Sequence, residues 1–297
     1  MNLAAYSGAT DTGRKRRRNE DAYVVAPPLF AVADGMGGAQ AGEIASKLAA
    51  TVLEDTDSGS LSGPERVASL IQEANRRVHE RSNTDPATSG MGTTMTVALV
   101  ESDGVVIGHV GDSRAYLVRD GGIEQITEDH SLVNELVKTG RLSSGEAETH
   151  PQRSVITRAV GTDPDVDVDS FIVDARAGDV FLLCSDGLTD MVSDDEILAA
   201  VQEHRNDLKR LTKALVSAAN RGGGEDNITV VAFAIASDEG ADTAEMPAIV
   251  DEMPTTEQAA GGHALVSDGP EVRARLVLTM IGLLCVATAL VTWGLLR

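Results

Sequence analysis

Residues 30–38 read Phe-Ala-Val-Ala-Asp-Gly-Met-Gly-Gly, an apolar run that stops on an aspartate and then turns on glycine. Small and β-branched apolar residues in unbroken succession mark a buried strand, and Asp-Gly with a second glycine pair behind it demands a tight turn. This places Asp34 at a strand end. The pattern recurs where the apolar run over residues 105–111 meets Asp112, and where the run over 180–185 meets Asp186 and Gly187. Two more acidic pairs precede apolar runs: Glu20 and Asp21 before residues 22–25, and Glu225 and Asp226 before residues 228–233. If these ends meet at one edge of a sheet core, several carboxylates crowd a small volume. Like charges that close repel strongly at low dielectric, so the cluster needs protons or cations to persist. Hard divalent cations, which prefer oxygen ligands, are the natural answer.

The rest of the chain is able to build such a core. It has 297 residues, 42% of them hydrophobic, enough for one large domain or two small ones. The net charge of −21 argues against a nucleic-acid binder, which needs an excess of Lys and Arg against phosphate. Of the two cysteines, Cys184 falls in a core strand and Cys285 in a C-terminal apolar run, which argues against a disulfide between them and fits a reducing compartment. The N-terminus lacks the charged-then-apolar layout of a signal peptide.

In chain order, residues 4–9 and 22–26 read as strands, joined by a polar stretch that holds Arg14, Lys15, Arg16, Arg17 and Arg18. A basic run like this is either a solvated loop face or a source of one arginine that turns back to hold a phosphate, since guanidinium donates bidentately to an oxyanion. Residues 41–55 and 64–82 carry helical spacing, the second with a proline near its start. Residues 93–101, 105–111, 114–119 and 123–126 read as consecutive strands of a β-meander. Residues 129–165 interrupt it with polar, short helical pieces and include His130 and His150; they read as a flap over the site. Strands return at 170–173 and 180–185, helices at 193–203, with Ser193 and Glu196 spaced as a capping box, and at 207–221. A last strand covers 228–235. Residues 238–272 are acidic, rich in Thr, Gly, Ala and Pro, and without periodicity, so they read as a disordered linker. Residues 276–296 carry no charge and are long enough to cross a bilayer, which takes about 20 apolar residues. The domain plan is thus 1–237 catalytic, 238–272 linker and 273–297 transmembrane helix. Arg273 and Arg275 before the span, against Arg297 after it, place the large domain in the cytoplasm by the positive-inside rule.

A single Asp-Gly is an ordinary turn; five acidic strand ends in one domain are harder to dismiss. A pair of divalent ions about 3.5–4 Å apart activates water and clamps an in-line displacement at phosphorus. With an arginine beside it, that arrangement suits hydrolysis of phosphomonoesters without a covalent nucleophile. Ser113 and Cys184 have no base and orienting partner visible in sequence, and residues 222–224 lack the Gly-Lys-Ser/Thr that a phosphate loop requires.

Six segments then fall in a familiar order: Arg16 to Asp21, Ala33 to Gly38, Gly92 to Thr94, Val110 to Arg114, Leu183 to Asp190, and Gly223 to Val230. Together they resemble the metal-dependent serine/threonine protein phosphatases of the PPM, or type 2C, family in its bacterial form. The resemblance covers residues 1 to about 237. It implies an α+β fold, a four-layer α/β/β/α sandwich of two antiparallel β-sheets flanked by helices, to which the C-terminal transmembrane helix is added. It implies Mn²⁺ or Mg²⁺, two core ions and a weaker third. Asp34 would bridge the two and Gly35 would give its carbonyl. Glu20 would lie in the second ion's shell, Asp186 and Asp226 would hold the first, and Asp21 would orient ligands or waters. Asp112, Asp186 and Asp190 would form the third site, and Arg16 would bind the substrate phosphate. Where animal members carry a histidine after the metal-binding Asp-Gly, this chain has Met36, so a water or a flap residue such as His150 would protonate the leaving group. The implied partners are phosphorylated proteins, including serine/threonine kinases and their substrates, and the membrane. A non-catalytic phosphoprotein-binding module and a hydrolase of small phosphate esters are the competing readings.

Overall fold

A computed structural model describes residues 1–37, 41–55 and 61–236. The expected linker and transmembrane helix lie outside the described residues, among which no helix is long and apolar enough to cross a membrane. The chain opens with strands β1 (Leu3–Asp11), β2 (Asp21–Ala26) and β3 (Leu29–Met36), then helices α1 (Ala41–Asp55) and α2 (Gly63–Thr84). Strands β4 (Gly92–Thr93), β5 (Met95–Val100), β6 (Val105–Val110), β7 (Arg114–Arg119) and β8 (Gly122–Gln125) follow. Short helices α3 (Leu132–Lys138) and α4 (Ser144–Glu148) stand in the flap, ahead of β9 (Asp169–Val173) and β10 (Val180–Cys184). The chain continues through α5 (Asp186–Thr189), α6 (Asp194–His204), α7 (Leu208–Gly222) and β11 (Ile228–Ile235). Ser193 and Glu196 do form a capping box at the start of α6, and a proline stands in the first turn of α2.

One sheet runs β1-β11-β10-β7-β8 and the other β2-β3-β5-β6-β9, with β4 on β3, and every pairing is antiparallel. Period-2 alternation explains the layers. In β10, Phe181 and Leu183 face the other sheet, while Val180, Leu182 and Cys184 face the helices. All five are buried, which is why the run is apolar throughout rather than alternating. Between the sheets the Phe233 ring lies between those of Phe30 and Phe181, with centroids 4.4 and 5.1 Å away and nearly parallel planes. Helices α1 and α2 cover one sheet, and α5, α6 and α7 cover the other, each over its own apolar cluster. This is the four-layer α/β/β/α arrangement.

Two expectations need correction. The strands over 93–126 are not one meander: β5 and β6 pair in one sheet, β7 and β8 in the other. The chain changes sheets over Gly111, Asp112 and Ser113, and because strands in both sheets are buried on both faces, that switch leaves no mark in the hydrophobic pattern. Asp34 does not end its strand either, since β3 runs on through Gly35 and Met36, which pair with Thr93 and Gly92. Phe233→Ala is expected to destabilise the protein by about 3–5 kcal/mol, the usual cost of emptying an aromatic site in a packed core. Urea unfolding of the variant against the parent measures it, and a change below about 1 kcal/mol would contradict the role given to the stack.

Candidate active site

Antiparallel register brings the acidic groups together. Asp21 and Asp34 are direct partners across β2 and β3. In the facing sheet Asp186 follows the end of β10, Asp226 precedes β11, and Asp112 sits in the crossing that leads to β7. Ends from both sheets therefore converge on one edge of the sandwich.

The backbone there is held firmly. Asp34 receives hydrogen bonds at its carbonyl from the Thr93 hydroxyl and the Thr94 N–H, both at 2.8 Å, and its own N–H donates to Thr94 Oγ1 at 2.9 Å. Thr94 Oγ1 also meets Ser113 Oγ at 2.6 Å. Glu20 is fixed by its N–H to Asn227 Oδ1 at 2.7 Å and by its carbonyl, which accepts from Ser46 Oγ and the Gly35 N–H. Asn227 in turn donates to the carbonyls of Thr12 and Arg18, both at 2.9 Å. Gly35 is needed for a reason other than an approaching ion: a Cβ there would lie 2.1 Å from the Gly42 carbonyl oxygen and 2.5 Å from that of Glu20. The start of α1 is packed directly against the acidic strand.

Electrostatics mark the cluster as incomplete. Asp34 keeps some solvent contact, but burial pushes its carboxyl well above the usual range and Asp21, Asp186, Asp112 and Asp226 push it further. Asp186 is raised well above its ordinary value by burial and then by Asp112, Asp226, Asp190 and Asp21. Burial lifts Asp21 to about 6 against hydrogen bonds from Thr229, Ser185 and Asp34. Burial and the charge of Asp129 lift Asp112 to about 7. Asp21 Oδ2 accepts from Thr229 Oγ1 at 2.6 Å and Ser185 Oγ at 2.9 Å. Its Oδ1, and Oδ1 of Asp186, are buried without a partner. An unsatisfied buried carboxylate oxygen costs several kcal/mol unless a proton or cation reaches it. Among the described residues no three His, Cys, Asp or Glu side chains converge into a finished ligand sphere.

Arg16 reaches the edge of the cluster, where Nη2 bonds Asp226 Oδ2 at 2.6 Å. Arg14 is turned to the Asn220 carbonyl, and Arg18 lies 3.8 Å from Glu43. Asp190 stands near Asp112 and Asp186 and is paired at 3.5 Å with Arg153 of the flap. Asp112, Asp186 and Asp190 lie at one end of a cleft of about 980 Å³, whose other wall includes Asn134, Val137 and Arg153 of the flap. His150 is not among the residues lining that cleft; its Nδ1 accepts the Gln152 N–H. Ser113 is buried beneath the cluster, and Cys184 lies in the core with burial pushing its thiol up to about 12, so neither is placed or charged to act as a nucleophile. Sequence reasoning placed Thr94, Ser185, Asn227 and Thr229 within the matching segments but gave them no role; here they hold the acidic groups in place.

Asp21 and Asp112 titrate at about 6 and about 7, above the 3.8 of an unstrained aspartate. Between these limits the folded chain holds protons that the unfolded chain has released, so stability is lost as pH rises through 6–7. In EDTA the protein is expected to melt higher at pH 5 than at pH 8, and Mn²⁺ to raise the melting temperature more at pH 8. A melting temperature in EDTA that climbs from pH 5 to pH 8 would contradict this account of the cluster.

The protein phosphatase 2C family model matches residues 13–223. The serine/threonine phosphatase stp of Listeria monocytogenes serotype 4b is 41% identical over 233 residues, 75% of this chain and 92% of the relative. The serine/threonine protein phosphatase PstP of Mycobacterium tuberculosis is 42% identical over 228 residues, 76% of this chain but 44% of that longer protein. Its crystal structure superposes with a TM-score of 0.74 at 40% identity, covering 78% of this chain and 99% of that one. The catalytic domain of PstP in complex with two manganese ions superposes with a TM-score of 0.70 at 37% identity, covering 78% and 98%. The chain therefore belongs to the protein phosphatase 2C, or PPM, family of metal-dependent serine/threonine phosphoprotein phosphatases.

Proposed function

We propose that this chain removes phosphate from phosphoserine and phosphothreonine in proteins at a two-cation site, Mn²⁺ or Mg²⁺, opposing serine/threonine kinases from a membrane tether. The observation that carries the site is the pair of buried, unpartnered carboxylate oxygens on Asp21 and Asp186 within a cluster that burial and mutual repulsion hold above its normal range. Asp34 and the Gly35 carbonyl, with Glu20, Asp186 and Asp226, would hold the two core ions, and Asp21 would orient ligands or waters around them. Asp112, Asp186 and Asp190 would hold a weaker third. When bound, such ions supply an activated water and neutralise charge developing at phosphorus. The manganese pair in the PstP catalytic domain supports this assignment.

Arg16 does the binding work. Its pair with Asp226 is half-exposed, and pairs of that kind are worth little. A phosphate oxyanion offers the guanidinium the same geometry with more charge, so Arg16 can pass from Asp226 to substrate. Met36 has no proton to give, so a water or a flap residue such as His150 would supply it to the departing hydroxyl. The tether rests on the uncharged stretch at residues 276–296, and the two arginines before it against one after it favour a cytoplasmic catalytic domain.

Phosphate release from a phosphothreonine peptide is expected with Mn²⁺ and not with EDTA. Arg16→Ala is expected to raise KM about 10- to 150-fold, since a hydrogen bond to a charged group contributes about 1.5–3 kcal/mol. Release that survives EDTA would sink the metal site, and an unchanged KM would pass the phosphate to another arginine of the run.

A further inference from the structure

The crossing between the sheets decides where Asp112 points, and it is gripped by one histidine. Gly111 takes a φ of +114°, and a Cβ there would lie 2.6 Å from the side chain of Thr94. No other residue fits this bend. His130, at the root of the flap, holds Gly111 on both sides: its backbone N–H donates to the Gly111 carbonyl at 2.7 Å, and its Nδ1 accepts the Gly111 N–H at 3.0 Å. An imidazole that accepts at Nδ1 carries its proton on Nε2 when neutral. Nε2 then donates to Asp169 Oδ2 at 3.1 Å; Arg158 Nη1, 3.0 Å from Nε2, cannot donate to it in this tautomer and bonds Asp169 instead. The other oxygen of Asp169 takes Arg158 Nη1 at 2.7 Å. Arg158 belongs to the flap, whose Thr157 N–H also donates to the His130 carbonyl at 2.8 Å. Asp169 opens β9 and pairs in register with His109 of β6. Buried beside His109, with ring centroids 4.8 Å apart, His130 joins the Asp112 crossing, the flap and the sheet.

We propose that His130 is a positioning residue with two separable tasks: Nδ1 fixes the crossing that carries Asp112, and Nε2, through Asp169 and Arg158, fixes the flap that walls the substrate cleft. The inference rests on the phosphatase reading. A side-chain amide divides the two tasks, because Asn places an oxygen where Nδ1 was, while Gln reaches the place of Nε2. His130→Asn keeps the grip on Gly111 and loses the flap. His130→Gln does the reverse.

The test uses the full chain with Mn²⁺, p-nitrophenyl phosphate as a substrate too small to need the flap, and a phosphothreonine peptide. His130→Asn is expected to raise KM for the peptide about 10-fold more than for p-nitrophenyl phosphate, and His130→Gln to lower kcat about 10-fold on both, the usual scale for losing a group that orients a site. In the unsubstituted protein, ¹⁵N NMR of the ring is expected to show an unprotonated Nδ1 and a protonated Nε2. Equal effects of the two variants on both substrates would overturn the proposal, as would a proton on Nδ1, which tests it even if a variant fails to fold. A parent protein that hydrolyses neither substrate would overturn the phosphatase reading instead, and the ring's tautomer would still decide the anchoring.

Discussion

Mutual repulsion among buried carboxylates governs this structure. Asp21, Asp34, Asp112 and Asp186 are gathered with little solvent around them, and burial first and neighbouring carboxylates second push each toward its protonated form. A fold that keeps such a cluster at a cost of several kcal/mol per unpaired group must hold it rigidly, or the side chains would swing out to solvent. The rest of the domain supplies that rigidity. The stacked phenylalanines lock the two sheets together, and the hydroxyls of Thr93, Thr94, Ser185 and Thr229 and the amide of Asn227 fix the acidic residues and their backbone.

The same constraint explains the unevenness of charge around the site. Arg16 stands at the rim, in a half-exposed pair with Asp226. Arg114 is instead locked onto Asp129 by three hydrogen bonds of 2.7–3.1 Å. It is occupied in holding the cleft wall. On the flap, Arg153 reaches Asp190, so one cation of that wall touches the acidic side of the cleft. Loosely held charge thus stands at the rim and tightly held groups behind it.

Much of this was legible in the sequence, and the failures have physical causes. Runs such as residues 105–110 and 180–184 announce themselves because a strand covered on both faces is apolar at every position, and the capping box at Ser193 and Glu196 is a purely local signal. Arg16 was distinguishable from its neighbours only through the resemblance to the family, since its partner Asp226 lies 210 residues away. The sheet switch at Gly111 was invisible, because a short polar link between two buried strands reads the same whether it turns or crosses. His130 read as an ordinary flap residue for a similar reason: its ring contacts, Gly111, Arg158 and Asp169, are distant in sequence. Gly35 was expected to give its carbonyl to an ion; the packing adds a separate demand, because a Cβ there would meet the Gly42 and Glu20 carbonyls, which no sequence cue shows.

The most direct measurement is the stoichiometry of Mn²⁺ binding by calorimetric titration at pH 7.5, in the parent and in Asp34→Asn. Two tightly bound ions per chain, falling to one or none when the shared carboxylate is replaced, is the result this account predicts. Two ions bound with undiminished affinity by Asp34→Asn would contradict it.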